Sequence, residues 1–130
     1  MPSLTIEIPN RPLDAVIDEA PGQISRDNIT IASGAGKVVA CTVIGKVTAS
    51  GKYVPYDNAA SNGAEVAAGI TLYDVDATSA DQAVSAITRI AALDRSKLQW
   101  KSGADDTAKA AAEVDLAAKQ IVLRTRTEVA

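Results

Sequence analysis

The sequence contains no histidine and no phenylalanine, and it has a single cysteine among its 130 residues. Without histidine, the chain has no imidazole to act as a general base, to complete a Ser-His triad or to bind a metal ion. One cysteine can form neither an internal disulfide nor a zinc site built from several thiolates. The sequence therefore predicts no catalytic residues, no metal ligands and no bound cofactor.

Positive charge and long apolar segments are also scarce. The chain has 13 lysine and arginine residues against 16 aspartate and glutamate residues, so its formal net charge is −3. A protein that binds the phosphate backbone of a nucleic acid normally carries a basic surface. No apolar run approaches the roughly 18 residues that cross a bilayer. We expect neither a nucleic acid nor a membrane as a partner.

Aromatic residues make up 3% of the chain, whereas hydrophobic residues make up 47%. The core must therefore be built from valine, isoleucine, leucine and alanine, which bury less area per residue than aromatic rings do. A chain of this length forms one compact domain. Because its core is modest, we expect it to gain stability by association with copies of itself.

The first 22 residues differ from the rest of the chain, because four prolines interrupt them. Between the prolines, apolar and polar residues alternate as they do in a strand, at Leu4, Thr5, Ile6, Glu7 and Ile8. Residues 1–22 are therefore predicted to be an N-terminal arm whose short strand needs a partner. Residues 23–130 are predicted to be the folded domain. A terminus that stays disordered is the alternative.

Most of the predicted domain has the pattern of β structure. Residues 38–47 are a nearly continuous β-branched run, which is typical of a buried strand. Ser50 and Gly51 predict a turn, after which residues 52–56 return as the second strand of a hairpin. Apolar residues then alternate over residues 65–73, which indicates a half-buried strand.

Two further segments carry helical signals. Apolar residues recur at helical spacing over residues 83–91, which slightly favours a helix, but the alternation typical of a strand fits the same residues. Asp105 and Asp106 precede an alanine-rich segment that runs to about Gln120, and acidic residues favour the start of a helix. The patterns together predict a mainly β fold with one or two short helices.

Three segments resemble sites of known chemistry, and each has a simpler structural interpretation. Residues 33–37 contain two glycines and a lysine, but their spacing is not that of a phosphate-binding loop, so a turn is favoured. Lys52, near the tip of the predicted hairpin, has the position that carrier domains use for a covalently attached cofactor. The residues around it lack the signature of those domains and favour a solvated edge charge. Asp74 and Asp76 are too few to enclose a cation and are expected to end a strand.

Cys41 and Trp100 are the remaining candidates. Cys41 lies inside the apolar run, where a thiol is expected to be buried and inert. Trp100 is the only tryptophan, and in a chain without phenylalanine a role in the core or at a seam between subunits is favoured at least as strongly as stacking on a ligand. Neither residue supports catalysis.

Several segments together resemble the head decoration proteins of lambda-like tailed phages. Residues 50–57 (SGKYVPYD) and the pattern AAGI…YDVDAT of residues 67–78 carry the most specific part of the resemblance. Residues 24–31 and 42–47 add to it, and the similarity extends over about residues 24–124. None of these segments is a catalytic signature.

The resemblance implies a β-rich domain of the β-clip type, a small barrel or sandwich in which residues 83–91 form a strand. It also implies a structural virion protein without enzymatic activity, in which the N-terminal arm, residues 1–22, is disordered in the free protein and becomes ordered on the capsid. Such a protein is a homotrimer that binds the major capsid protein on the outer surface of the expanded capsid, at local three-fold positions, and stabilises the shell against the packaged genome. Three residues depart from the resemblance: Cys41 stands where a small residue such as glycine is expected, and Ile90 and Asp94 where a different polar pattern is expected.

The predicted arm has physical properties that suit this role. Residues 4–8 could add a strand to an exposed edge of the shell protein, and three arms on one trimer would raise the avidity by roughly 10²–10⁴. Deletion of residues 1–20 is therefore predicted to leave trimers intact and to abolish attachment to the capsid. The alternative function is a small binding or carrier module that is modified at Lys52 or acts through it.

Overall fold

The computed structural model describes residues 13–21 and 24–125, which form ten β-strands, one α-helix and a short 3₁₀ helix. The strands, numbered in chain order, are β1 (Val16–Glu19), β2 (Arg26–Ile31), β3 (Gly36–Val38), β4 (Val43–Lys46), β5 (Tyr53–Pro55), β6 (Ala67–Thr71), β7 (Val75–Ala77), β8 (Gln82–Ile87), β9 (Ala91–Asp94) and β10 (Ile121–Arg124). The helices are the 3₁₀ turn Arg95–Lys97 and α1 (Asp106–Ala117). This content confirms the prediction of a mainly β fold with one or two short helices.

Five strands close into a barrel in the order β2-β5-β4-β6-β8. β4 and β5 form the predicted hairpin, with Lys46 opposite Tyr53, and Gly51 in its turn has a φ of 72°, a conformation that glycine adopts at no steric cost. All five residues of β6 are buried, so the prediction of a half-buried strand there is wrong. The reason is tertiary, because β6 pairs with β4 and β8 inside the closed barrel and α1 packs beside it.

A three-stranded sheet in the order β1-β9-β10 shares the larger core cluster with the barrel. β1 runs antiparallel to β9, and β10 runs parallel to it. The buried side chains of Leu93, Ile121 and Leu123 lie in the same cluster as Ala112 and Leu116 of α1. The helix therefore covers one face of this sheet.

Residues 83–91 form strand and turn structure rather than a helix. They comprise most of β8, a three-residue turn and the first residue of β9. Val84 and Ala86 of β8 are buried, whereas Ser85 between them is partly exposed, and β2 pairs with β8 along its whole length. The strand implied by the resemblance is confirmed for residues 83–87, and the helix that the spacing slightly favoured is wrong. Apolar spacing cannot separate the two structures when a distant strand supplies the hydrogen bonds.

The apolar run of residues 38–47 is not one strand. A turn at Cys41, whose φ is 68°, divides it between β3 and β4. β3 pairs with β7 in a separate two-stranded sheet, whereas β4 enters the barrel. A positive φ is uncommon for any residue but glycine, which agrees with the small residue that the resemblance leads one to expect at this position. Because the run is mainly apolar, no pattern in the sequence indicates the turn.

The helix α1 has nearly the predicted bounds. Asp105 is its N-cap, and the carboxylate accepts a hydrogen bond of 2.8 Å from the backbone N–H of Ala108. Ala108, Ala112 and Leu116 are buried at helical spacing. In the part of the chain that the structure describes, no helix combines the length and the apolar character that crossing a membrane requires.

Replacement of the helix cap tests this local assignment. We expect Asp105→Ala to lower the free energy of unfolding by about 1 kcal/mol, because the N–H of Ala108 loses its acceptor at the first turn. Asp106→Ala is the matched control, since it removes the same charge from the adjacent position of the same helix end. Urea denaturation of both variants at neutral pH measures the difference. Equal losses would attribute the effect to charge near the helix terminus rather than to the cap.

Candidate functional site

Lys52 lies in the connection between β4 and β5 and takes part in a structural contact. Its ammonium group forms an ion pair of 2.6 Å with the carboxylate of Asp81. That carboxylate also accepts a hydrogen bond of 2.7 Å from the backbone N–H of Ser33. The hydrogen bond from Lys52 is the main cause that lowers the pKa of Asp81. The lysine therefore ties the hairpin to the loop before β8.

The glycine-containing segment 33–37 contains the predicted turn between β2 and β3. The N–H of Ser33 is taken by Asp81, and the N–H of Gly34 donates to the carbonyl of Ala77 at 2.7 Å. A phosphate-binding loop instead directs unpaired backbone N–H groups at its ligand. The turn is built to join two parts of the chain.

The carboxylates of Asp74 and Asp76 also serve as acceptors for nearby backbone groups. Asp74 accepts a hydrogen bond of 2.6 Å from the N–H of Ala40, and Asp76 accepts one of 3.1 Å from the N–H of Thr78. Among the described residues, no group of three or more His, Cys, Asp or Glu side chains is arranged to hold a metal ion. The two aspartates hold loops in place.

Cys41 is fully buried, as predicted. Burial is the main cause that raises the pKa of its thiol, and the thiolate is the form that reacts. The Sγ atom accepts a hydrogen bond of 3.4 Å from the backbone N–H of Ala15. The thiol therefore links the segment before β1 to the core.

Trp100 is partly buried and packs against the larger core cluster. Its ring meets the ring of Tyr56 edge to face, with centroids 6.3 Å apart, and the ammonium group of Lys109 lies 5.8 Å from its centroid. Tyr56 is itself buried, and its hydroxyl donates to the carbonyl of Ala108 at 3.1 Å. The two rings therefore hold the start of α1 against the barrel. A role for Trp100 at the seam between subunits stays a prediction.

The predicted arm falls only partly within the described residues. The candidate capsid-binding residues lie outside them, namely Leu4, Thr5, Ile6, Glu7 and Ile8. Residues 13–21 are described, and they are attached to the body. β1 pairs with β9, Ala15 is fully buried, and its carbonyl accepts a hydrogen bond of 2.7 Å from the N–H of Asp94. The arm is therefore defined as residues 1–12.

Two contacts at the far end of β1 fasten this strand to the body, and sequence analysis missed both. Ser25 is buried, and its Oγ accepts a hydrogen bond of 2.9 Å from the N–H of Ala20 and donates one of 2.5 Å to the carbonyl of Ile90. The guanidinium of Arg26 binds the carboxylate of Glu19 through Nε at 2.9 Å and Nη2 at 2.6 Å. Single polar residues at strand ends or in the adjoining loop carry no periodic signal, so no pattern identifies such contacts. We call these two contacts the β1 anchor.

Acid is expected to weaken the contacts around β1 and β2. The hydrogen bond from Arg26 lowers the pKa of Glu19 below its ordinary value. Hydrogen bonds from Arg89 and Thr88 do the same to the pKa of Asp27. A carboxyl whose pKa is lower in the folded than in the unfolded chain stabilises the folded state above the unfolded value, and this contribution is lost as the pH falls through the folded value.

The free energy of unfolding, measured by urea denaturation, should therefore decline as the pH falls below about 4.5. The Glu19→Gln variant cannot titrate at this position, so it should lose less stability than the wild type between pH 5 and pH 3. Equal losses in the two proteins would place the acid sensitivity at other carboxyl groups.

Comparison with known proteins identifies the family. A family model described as bacteriophage lambda head decoration protein D matches residues 5–121. A search of curated proteins found no match. The matched residues include every barrel strand and the whole of α1. Because the match covers nearly the whole chain, this protein belongs to the family of bacteriophage lambda head decoration protein D, whose role is to decorate the phage capsid.

Proposed function

We propose that this chain forms a homotrimer that binds the outer surface of the expanded phage capsid at local three-fold positions and stabilises the shell against the packaged genome. The family match over residues 5–121 is the observation that carries the proposal. In this role the partner is the major capsid protein, and the chain acts by binding alone, without catalysis.

The contacts of the chemically distinctive side chains support a structural role. Lys52 is paired with Asp81, Asp74 accepts the N–H of Ala40, and Cys41 is buried with a raised thiol pKa. The net charge of −3 makes the packaged nucleic acid an unfavourable partner, because like charges repel. The protein shell is therefore the expected binding surface.

The arm supplies attachment in this proposal. It enters the body at Leu13, whose N–H donates to the carbonyl of Leu72 at 3.3 Å, and the chain continues into β1. A strand at residues 4–8 that pairs with a strand edge of the shell protein would gain main-chain hydrogen bonds. Ordering the arm costs conformational entropy, so one arm binds weakly. Three arms on one trimer make the later contacts intramolecular and raise the avidity.

Exposed apolar side chains support association of the described body with other protein surfaces. Large apolar side chains that are at least about one-third exposed in the monomer are Ile17, Ile24, Val39, Val66, Tyr73, Ile90, Val114 and Val122. A chain with so few aromatic residues can bury further apolar area by packing against two copies of itself and against the shell. Both interfaces are part of the proposal.

Purified protein and isolated shells test the proposed function. Native mass spectrometry at micromolar concentration should give three times the 13.4 kDa mass of the chain. The trimer should co-sediment with expanded shells, and cryo-electron microscopy should place its density at the three-fold positions. Decorated, genome-filled heads should also retain their nucleic acid at higher temperatures than undecorated heads. A monomeric mass, or density at other positions, would contradict the proposal.

A carrier role for Lys52 is the alternative. Its ammonium group is paired with Asp81 at 2.6 Å, but the side chain is 42% exposed, so this surface ion pair leaves the lysine accessible to a modifying enzyme. The intact mass of the protein recovered from infected cells decides between the two functions. An adduct localised to Lys52 would favour the carrier role, and the unmodified mass favours decoration.

A further inference from the structure

The face of the three-stranded sheet that points away from α1 carries apolar side chains. Val122 of β10 is 48% exposed and lies between Ile121 and Leu123, which are buried on the opposite face. It is in register with Ala92 of β9. Ile17, which is 36% exposed, is the extra residue of a β-bulge in β1 at the level of the same Ala92. These side chains therefore lie close together on the outer side of the sheet.

Ile90, in the turn before β9, extends this outer surface. Together with Asp18 and Ala92 it lines a groove of about 430 Å³. Its φ is 47°, in the left-handed region that is unfavourable for a β-branched residue, yet its side chain is 39% exposed. The isolated body gains little stability from Ile90, because its side chain does not fill the core and a β-branched residue is unfavourable in the left-handed conformation. Backbone strain of this kind is concentrated at active sites, ligand clamps and switch regions, which points to a functional role for this turn.

We propose that the outer patch, defined as Ile17, Ile90, Ala92 and Val122, is the surface of the body that rests on the shell protein. This inference depends on the proposed function, because it assigns a second contact to the same partner. The arm would then bind the shell at a point some distance from the body, whereas the outer patch would bury apolar area directly between the body and the shell.

The length of chain outside the described residues supports the shell as the occupant of the outer patch. The predicted arm strand ends at Ile8, and Leu13 is already hydrogen-bonded to the body. Four residues separate Ile8 from Leu13, so these two residues lie at most about 18 Å apart. When the arm strand is paired with the shell, the body around Leu13 must lie within that distance of it. β1, which carries Ile17 of the outer patch, begins three residues later.

The polar groups beside the outer patch indicate the chemistry of the surface that fits it. Glu19 lines the groove, but its carboxylate is paired with Arg26. Asp18 also lines the groove, and its carboxylate is exposed and accepts a hydrogen bond of 2.9 Å from the adjacent N–H of Glu19. The complementary shell surface is therefore apolar, with a lysine, an arginine or a backbone N–H opposite Asp18.

Two substitutions test the outer patch without relying on the core. Ile90→Asn removes the apolar side chain and introduces a residue that tolerates the left-handed conformation, so its melting temperature should equal or exceed that of the wild type. Val122→Thr keeps the β-branched shape of the side chain and makes it polar. Each variant should remain trimeric by native mass and bind expanded shells at least about tenfold more weakly in co-sedimentation titrations. Val114→Thr is the matched control, because Val114 is 71% exposed on α1, which covers the opposite face of the sheet, and this change should leave binding unaltered.

The outcomes separate this inference from the proposed function. Undiminished binding by folded, trimeric Ile90→Asn and Val122→Thr proteins would overturn the assignment of the outer patch. Loss of the trimer in either variant would also overturn it, because the patch would then lie between copies of the chain. If the wild-type trimer fails to co-sediment with expanded shells, the proposed function itself fails before any variant is compared.

Discussion

Removal of residues 2–12 is expected to weaken attachment to the expanded shell by about 10²–10⁴-fold while the body stays folded and trimeric. The deletion ends before Leu13, so Ala15 remains buried in the core, β1 remains paired with β9, and the β1 anchor is untouched. The proposed trimer would lose the three linked contacts that its arms provide and would keep only the contacts of the body. Co-sedimentation titrations at one salt concentration, with native mass measured in parallel, give both quantities.

The longer deletion of residues 1–20 does not test the arm alone. It removes Ala15, whose side chain is fully buried, together with all of β1. Loss of binding would then reflect damage to the three-stranded sheet as well as loss of the arm. We expect this deletion to lower the melting temperature. The deletion of residues 2–12 should change the melting temperature no more than a typical surface substitution does.

A full-length variant tests whether binding depends on the sequence of the arm and not only on its length. Serine at Leu4, Ile6 and Ile8 removes the apolar side of the predicted strand and keeps the length of the arm. This variant should bind nearly as weakly as the deletion. Serine at Thr5 and Glu7 alters the other side of the same strand and should have the smaller effect. Undiminished shell binding after deletion of residues 2–12 would contradict attachment through the arm.

Features that depend on neighbouring residues were predicted well from the sequence. The turn at Ser50 and Gly51, the hairpin that it closes and the helix after Asp105 all appear close to their predicted positions. Each depends on contacts within a few residues of the chain, such as a cap, a glycine in a turn or apolar side chains one helical turn apart. The residue pattern therefore contains most of the information that fixes them.

Features that depend on distant strands could not be derived in the same way. The turn at Cys41 interrupts an apolar run that has no glycine or proline at the break. It forms because β3 pairs with β7 and β4 pairs with β5 and β6, which pulls the two halves into different sheets. The complete burial of β6 likewise results from its neighbours in the barrel. Alternation in the sequence does not reveal that both faces of a strand are covered.

The candidate functional surfaces also differ in whether the sequence alone predicts them. The arm is predicted from the alternation of residues 4–8 and from the resemblance, and both are properties of the sequence itself. The β1 anchor joins Ser25 to Ile90 and Arg26 to Glu19, and it exists only once the three-stranded sheet has formed. The outer patch likewise depends on the register that places Val122 beside Ala92. These surfaces become visible only in the folded chain.

A methyl group at Gly69 is expected to destabilise the barrel by about 3 kcal/mol or more. A Cβ atom at this position would lie 2.0 Å from the carbonyl oxygen of Ile87 and 3.2 Å from the Cα of Thr88. Both are backbone atoms, so they cannot turn aside as the end of a side chain can. β6 and β8 are also held in register through Ile70 and Ile87, and β4 holds β6 from the other side. Relief of the clash therefore requires separation of two strands of a closed barrel.

Gly34→Ala is the matched control for Gly69→Ala, because it isolates the cost of backbone conformation. Gly34 has a φ of 92°, but a Cβ atom there would meet no atom within 4 Å. Its replacement should cost only the penalty of a positive φ, about 1–2 kcal/mol. Gly69 also has a positive φ, 156°, so a loss in Gly69→Ala well beyond that penalty measures mainly the close approach. Urea denaturation must compare the two variants at one protein concentration, since assembly adds stability by mass action. A loss in Gly69→Ala no larger than that in Gly34→Ala would mean that β6 and β8 can move apart and that the barrel is not closed as described. Native stability is only about 5–15 kcal/mol, so the expected loss is a large share of it and should also lower the yield of trimer.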